Sequence, residues 1–327
     1  MGPELLQVQW GKETTWGTPV AGAVKGMLIS DFSLDPNLEV VKLKEKRGSV
    51  APRFTSVPNY VAGAGSIEGA LSYDDIPYWI EMLSGIATPS GAGPYVRAYT
   101  FPGVPVLTGG NGIRYSTFIW GETTNVYRMR GGLLSKLNIK ASKGEPWMFS
   151  GDLLGMYVDN AGALAALSDR VTTPIAGSVT SIYVDAWAGT IGTTLVPATT
   201  FSFELDIDTK RILKQHLGSL NPDSFDHPEE WDATLTLEME FNATSKPFVD
   251  EMIVANPIFQ RQVRIKATTG ANEIAQLDFA GDQDNAPKLW TDNDGVITVE
   301  IKLNGKYNPT LGAWMKASVT NQVAALA

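Results

Sequence analysis

One unit in this chain occurs twice, and the repeat limits the fold more than any other feature. Residues 65–85 read GSIEGALSYDDIPYWIEMLSG. Ile67, Gly69 and Leu71 fall on one face at period two, with Ser66, Glu68 and Ser72 on the other, which predicts a half-buried strand. Asp74 and Asp75 then stand where a helix cap belongs, and Pro77 falls in the first turn. Tyr78, Trp79 and Met82 form an apolar stripe, and Gly85 ends the helix. Residues 233–256 read ATLTLEMEFNATSKPFVDEMIVAN. Leu235, Leu237, Met239 and Phe241 alternate with Thr234, Thr236, Glu238 and Glu240, Thr244 and Ser245 cap, and Pro247 follows. The two units align without a gap, Pro77 on Pro247, Glu81 on Glu251 and Met82 on Met252, at an offset of 170 (247 − 77). A shared strand–cap–proline–helix order in one register predicts an internal duplication.

At 327 residues the chain is long enough for two domains, and 43% hydrophobic residues give each a core. Without cysteine there is no disulfide and no thiolate metal site. A net charge of −9 argues against a duplex-DNA binder, which needs a basic footprint. The start, MGPELLQVQWGKE, lacks the pattern of a signal peptide, and no apolar run reaches the ~18 residues of a membrane helix. The expected product is soluble and made in a cytoplasm.

Residues 1–18 carry Trp10 and Trp16 and form an arm that packs either on its own domain or on a neighbour. Phe32 and Leu34 belong to a strand. Beyond it VVKLKEKRGSVAPRF, residues 40–54, is a basic β-arm on a long loop, read either as a solvated hairpin or as a contact for an acidic surface. Residues 159–173, DNAGALAALSDRVTT, form a linker. In the second half Phe203 and Leu205 echo Phe32 and Leu34, and TKRILK, residues 209–214, occupies the place of the basic arm. Ile297 to Leu303 match Ser135 to Ala141, and Trp314 to Val319 match Leu153 to Val158. Strands with one polar face imply antiparallel sheets. The fold is therefore mainly β: two tandem duplicated β-sandwich or barrel domains, 1–158 and 174–327, each with one α-helix packed on the sheet.

Chemistry is sparse. His216 and His227 are the only histidines, and both read as surface residues. Asp226 beside His227 supplies adjacent letters, but chain neighbours point apart, so no hydrolytic triad follows. Gly63, Gly65 and Gly69 lead into a strand, which suits close sheet packing and not dinucleotide binding. Asp282, Asp284, Asp292 and Asp294 lie in turn sequences that fail the spacing of a calcium loop. No catalytic residue, cofactor or metal ligand is expected, and no enzyme activity.

The order of features, KETTWGTP at 12–19, a long charged loop, the GSIEG strand, the IPYWIEMLSG helix and closing alternating strands, resembles the tail tube protein (major tail protein) of long-tailed, siphovirus-type bacteriophages, in a form with two tube domains per chain. The resemblance runs from Lys12 to Val319. It implies a structural virion protein, assembled in the host bacterial cytoplasm. Its rings, trimers with pseudo-six-fold symmetry, would stack into a hollow tube through which DNA passes. It implies partners as well: further copies of the chain, tail-tip or baseplate and tail-terminator proteins, and tape measure protein and DNA in the channel without sequence-specific binding. Under this reading Glu68, Lys136, Lys140, Glu238, Glu240, Glu300 and Lys302 are the candidate channel-lining residues. Lys42, Lys44, Lys46, Arg47, Lys210, Arg211 and Lys214 are candidates for contact arms between rings. The alternatives are a tail-tip or terminator protein of the same fold, or a two-domain adhesin or carbohydrate binder using Trp120, Trp187 or Trp290.

Overall fold

A computed structural model describes residues 5–48, 55–101, 112–196, 200–254, 258–293 and 295–327. The first half runs β1 (Gln7–Lys12), β2 (Val24–Lys25), β3 (Ile29–Lys42), β4 (Ser56–Ala70), α1 (Ile76–Ser84), β5 (Tyr95–Phe101), β6 (Ser116–Gly121), β7 (Val126–Ser142), β8 (Met148–Gly155) and β9 (Tyr157–Asp159). The second runs β10 (Thr180–Ala186), β11 (Leu195–Val196), β12 (Thr200–Asp208), β13 (Ile212–Lys214), β14 (Ser224–Asp226), β15 (Asp232–Glu240), α2 (Lys246–Val254), β16 (Gln260–Thr268), β17 (Ile274–Gln283), β18 (Lys288–Asn293), β19 (Val296–Gly305) and β20 (Met315–Asn321). The molecule is mainly β, and the strands pair antiparallel throughout.

Eight strands make one inner sheet that crosses from half to half in the order β3-β4-β8-β7-β12-β15-β19-β18. The join is β7 against β12, with Lys136 opposite Asp208, Asn138 opposite Asp206 and Lys140 opposite Glu204. Outer strands pack behind. β2, β1, β6, the first part of β7, and β9 cover the first half. β11, β10, β16, β17, β20 and β5 cover the second. β5 belongs to the first half by sequence and to the second by pairing.

Pairing corrects the strand match made from the alternation. Ile67 on β4 faces Gly151 on β8, and Leu237 on β15 faces Ile301 on β19. β19 thus stands where β8 does, not where β7 does. β20 pairs along β17 as β9 pairs along β7, while β18 takes the edge position that corresponds to β7.

Period-two alternation puts Ile67, Leu137, Ile139, Phe149, Phe203, Leu205, Leu235, Leu237, Val299 and Ile301 in the core. Glycines let neighbouring strands close up: a Cβ on Gly65 would lie 2.3 Å from the Ser33 carbonyl oxygen. Trp79 of α1 stacks on Phe149 at 4.9 Å and packs against Trp10 at 5.2 Å, so the N-terminal segment packs on its own half. Trp16 donates its indole N–H to the Gly131 carbonyl at 2.8 Å. The 159–173 segment also packs on the first half: Gln9 and Ala165 exchange two hydrogen bonds, at 3.0 and 2.9 Å, and Arg170 pairs with Asp75 at 2.7 Å. Asp75 stands at the N-cap of α1, but its carboxylate accepts from Ser72 and Arg170 and not from the helix N–H groups.

The two helices differ in cover. In α1 every residue from Ile76 to Leu83 is buried; in α2 only Val249 and Met252 are. A helix enclosed on all sides is apolar all round, and α1 is the more apolar of the two. No helix among the described residues is long and apolar enough to cross a membrane.

Candidate functional site

The inner sheet has one apolar face and one polar face, and the polar face draws residues from all eight of its strands. Registers place Asp31 and Asp35 of β3 on it, with Glu68 of β4, Ser150 and Asp152 of β8, and Lys136, Asn138 and Lys140 of β7. It continues across the join through Glu204, Asp206 and Asp208 of β12, Asp232, Glu238 and Glu240 of β15, Glu300 and Lys302 of β19, and Lys288 of β18. All seven channel-lining candidates, Glu68, Lys136, Lys140, Glu238, Glu240, Glu300 and Lys302, fall on this one face. Around the β7–β12 join it is concave, with a trough of about 500 Å³ lined by Asp31, Glu68, Lys136, Lys140, Asp152, Glu204, Asp206, Asp208 and Asp232 among others.

Carboxylates outnumber lysines on this face by more than two to one, and the lysines are shared among them. Lys136 lies 3.7 Å from Asp208 and 3.9 Å from Asp152. Asn138 donates to Glu204 at 2.8 Å and to Asp206 at 2.5 Å. Glu238 accepts from Ser202, Asn293 and Thr298 at 3.0 to 3.2 Å. Lys288 pairs with Glu300 at 2.7 Å and Lys302 with Asp284 at 3.2 Å. The face is therefore a net acidic surface on which several side chains hold one another in place, and it offers phosphate groups no basic stripe. The sequence reading missed Glu204, Asp206 and Asp208, although they alternate with Phe203, Leu205 and Ile207 as plainly as the residues it chose.

The two basic arms are unlike. Lys42 ends β3, and Lys44, Lys46 and Arg47 follow it on the exposed hairpin toward β4; Arg47 pairs with Glu45. Residues 49–54 of this arm lie outside the described residues. Its stem exposes Leu38, Val40, Val41, Leu43 and Val57. In the second half the cations turn inward or onto their own chain. Lys210 pairs with Asp232 at 2.8 Å and with Asp208 at 2.9 Å, and these hydrogen bonds raise its pKa. Burial pushes the Asp208 carboxyl up, but the Lys210 backbone N–H and ammonium outweigh it and hold its pKa below the usual range. Lys214 pairs with Asp226 across the small β13–β14 hairpin.

Arg211 overturns its assignment to a contact arm, because it is buried. Its guanidinium donates to the carbonyls of Met82 and Leu83, the last turn of α1, and to Leu134 on β7, the last two both at 2.7 Å. Burial pulls its pKa down to about 9, which leaves it charged at neutral pH. A cation on the carbonyl end of a helix sits at the negative end of the macrodipole and satisfies acceptors that the helix cannot. No local pattern marks this role: TKRILK reads as a solvated basic run, and the carbonyls come from a distant part of the chain.

His227 is also not a surface residue. Its Nε2 accepts from Arg211 Nε at 3.2 Å, and its Nδ1 lies 3.2 Å from the Thr209 carbonyl oxygen, which fits the neutral ring with the proton on Nδ1. Burial first, and the Arg211 charge second, lower its pKa. His216 is exposed and contacts Asp223 at 2.7 Å. The remaining hairpin residues tie back to the first half: Gln215 donates to the Asn59 carbonyl at 2.9 Å, and Val61 N–H to the Leu220 carbonyl at 3.0 Å.

A family model described as phage tail tube protein matches residues 5–305. No curated protein matches the chain.

Proposed function

We propose that this chain, which belongs to the phage tail tube protein family, forms rings of three copies that stack into the tail tube. The polar face of its inner sheet would line the channel for DNA. One observation carries the reading: eight strands from both halves form a single sheet whose exposed polar face is net acidic and forms a concave trough around the β7–β12 join. Closing such a sheet with further copies removes its free edges, which a lone chain leaves open to unprogrammed pairing. An acidic lining suits a conduit, since phosphates slide past a surface that does not bind them.

The two halves, 1–158 and 174–327 with 159–173 between them, are read as copies of one tube unit. Supporting this, β3-β4-β8-β7 in one and β12-β15-β19-β18 in the other have the same order, and each carries its helix after the second strand. Three chains would then give a pseudo-six-fold ring. The cations at Lys42, Lys44 and Lys46 project on an arm of the first half only, so ring-to-ring contacts through them would repeat three times per ring and not six. Tail-tip, terminator and tape measure proteins are the further partners of such a tube, and the virion is its site.

The test is negative-stain electron microscopy with light scattering across protein and salt concentrations. Rings or tubes, with a ring mass three times the 35.3 kDa chain, support the reading. A monomer at every concentration overturns it. Lys44→Glu should leave rings intact and weaken stacking. The reason is that each exposed ion pair contributes only about 0 to 1 kcal/mol, and the effect comes from repetition.

A further inference from the structure

The inner sheet ends in two strands with one unpaired edge each. Among the described residues β3 pairs only with β4, and β18 only with β19. The eight strands alternate in direction, so β18 of one copy meets β3 of the next antiparallel, as β7 meets β12 within the chain. Both edges are blunted against random partners, β3 by Pro36 and β18 by a bulge between Lys288 and Thr291.

The internal join supplies a register for the open one. Ser150 faces Glu68 on one side and Asn138 on the other; Glu300 faces Glu238 and Lys288. Lys288 therefore holds the place of Asn138. On the other edge Asp35 faces Ala64 as Asp206 faces Thr234, so Asp35 holds the place of Asp206. Within the chain Asn138 sits opposite Asp206 and donates to it.

We propose that β18 pairs with β3 of a neighbouring copy in this same register, with Lys288 opposite Asp35 and Asn293 opposite Asp31. The inference rests on the tube reading and names its subunit seam. The chemistry improves on the internal join, because an ammonium replaces an amide opposite the carboxylate. Lys288, Asp31 and Asp35 are all exposed in the single chain. A one-residue slip would send Asp31 and Asp35 to the wrong face, so the pattern tolerates no neighbouring register.

The helices give a second, independent sign of the same seam. Inside the chain, residues just past β12 cover the end of α1: Arg211 caps Met82 and Leu83. At the corresponding end of α2 the amide of Gln283 reaches the Met252 carbonyl at 3.1 Å, but the apolar side chains of Ile253, Val254 and Ile258 near it stay 57 to 71% exposed. Position 211 corresponds to Val40, on the stretch of β3 that exposes Leu38, Val40 and Val41. Two apolar surfaces without cover in one copy meet when β3 of the next copy is added, and α2 becomes enclosed as α1 is.

The chain has no cysteine, so a designed pair reports the seam without background. Directly opposed residues place their Cβ atoms about 4.5 to 5.5 Å apart, near disulfide range. Lys288→Cys with Asp35→Cys, assembled and mildly oxidised, should link most chains into covalent dimers and trimers on a non-reducing gel. Either single variant should stay at chain mass. Leu289→Cys with Asp35→Cys, one residue out of register, should link far less. Rings by microscopy without the 288–35 link, or with equal linking by the shifted pair, overturn the seam and leave the tube reading standing. Absence of rings overturns both. A charge swap gives a second readout. Asp35→Lys should raise the concentration for ring formation about tenfold, and adding Lys288→Asp should restore it. No recovery in the double variant also overturns the proposed register.

Discussion

Replacing Arg211 with Met keeps the volume and removes the charge and all its donors. In the native chain the guanidinium serves three carbonyls, of Met82, Leu83 and Leu134, and accepts cover from the Trp231 ring 5.8 Å away. Each buried carbonyl left without a donor costs about 1 to 2 kcal/mol. Against this, the variant no longer has to desolvate a cation, which returns on the order of 1 to 2 kcal/mol. The net expectation is a loss of about 3 kcal/mol. Arg211→Lys keeps the charge, but a point ammonium cannot span three carbonyls, and it should lose about half as much. Urea denaturation of the unassembled chain, followed by tryptophan fluorescence, reads the difference. Hydrogen exchange should show the last turn of α1 opening first in both variants. Arg211→Met within about 0.5 kcal/mol of the native chain would refute the cap, because orphaned buried carbonyls cannot be that cheap.

Two further outcomes follow from the same packing. The folded pKa of His227 is lowered, so the unfolded chain binds the proton more readily; stability is complete above the unfolded value of about 6.5 and falls as pH drops below it. His227→Gln should flatten the stability profile between pH 7 and pH 5, measured as Tm against pH. Gly65→Ala places a Cβ 2.3 Å from the Ser33 carbonyl oxygen, which forces β3 and β4 apart; a loss of about 1 to 3 kcal/mol is expected in urea denaturation.

Much of this fold is written in period-two alternation. Leu235, Leu237 and Met239 against Thr236, Glu238 and Glu240 define both the strand and the face of β15, and the same holds for Ile67 and Glu68 on β4. That is why the polar-face candidates fall together. What alternation cannot convey is which strand lies beside which. β7, β8 and β19 all alternate, so β19 matched β7 by pattern while hydrogen bonding gives it the place of β8. Nor does local sequence reveal burial that depends on remote partners. Arg211 and His227 look solvent-facing by composition, yet one caps a helix from the other half and the other is wedged against Arg211 and Trp231. The second basic run likewise reads as free charge from its letters alone, while Asp208, Asp232 and Asp226 pair with its lysines in the fold.

Electron cryomicroscopy of assembled tubes at side-chain resolution would show whether the polar face of the inner sheet lines the proposed channel. A channel lined by this face has Glu68, Lys140, Glu238 and Glu300 pointing toward the tube axis from one unbroken barrel, with α1 and α2 on its outer side. Tubes in which these residues point outward, or in which the outer strands β1, β6, β10 and β16 face the lumen, would contradict it.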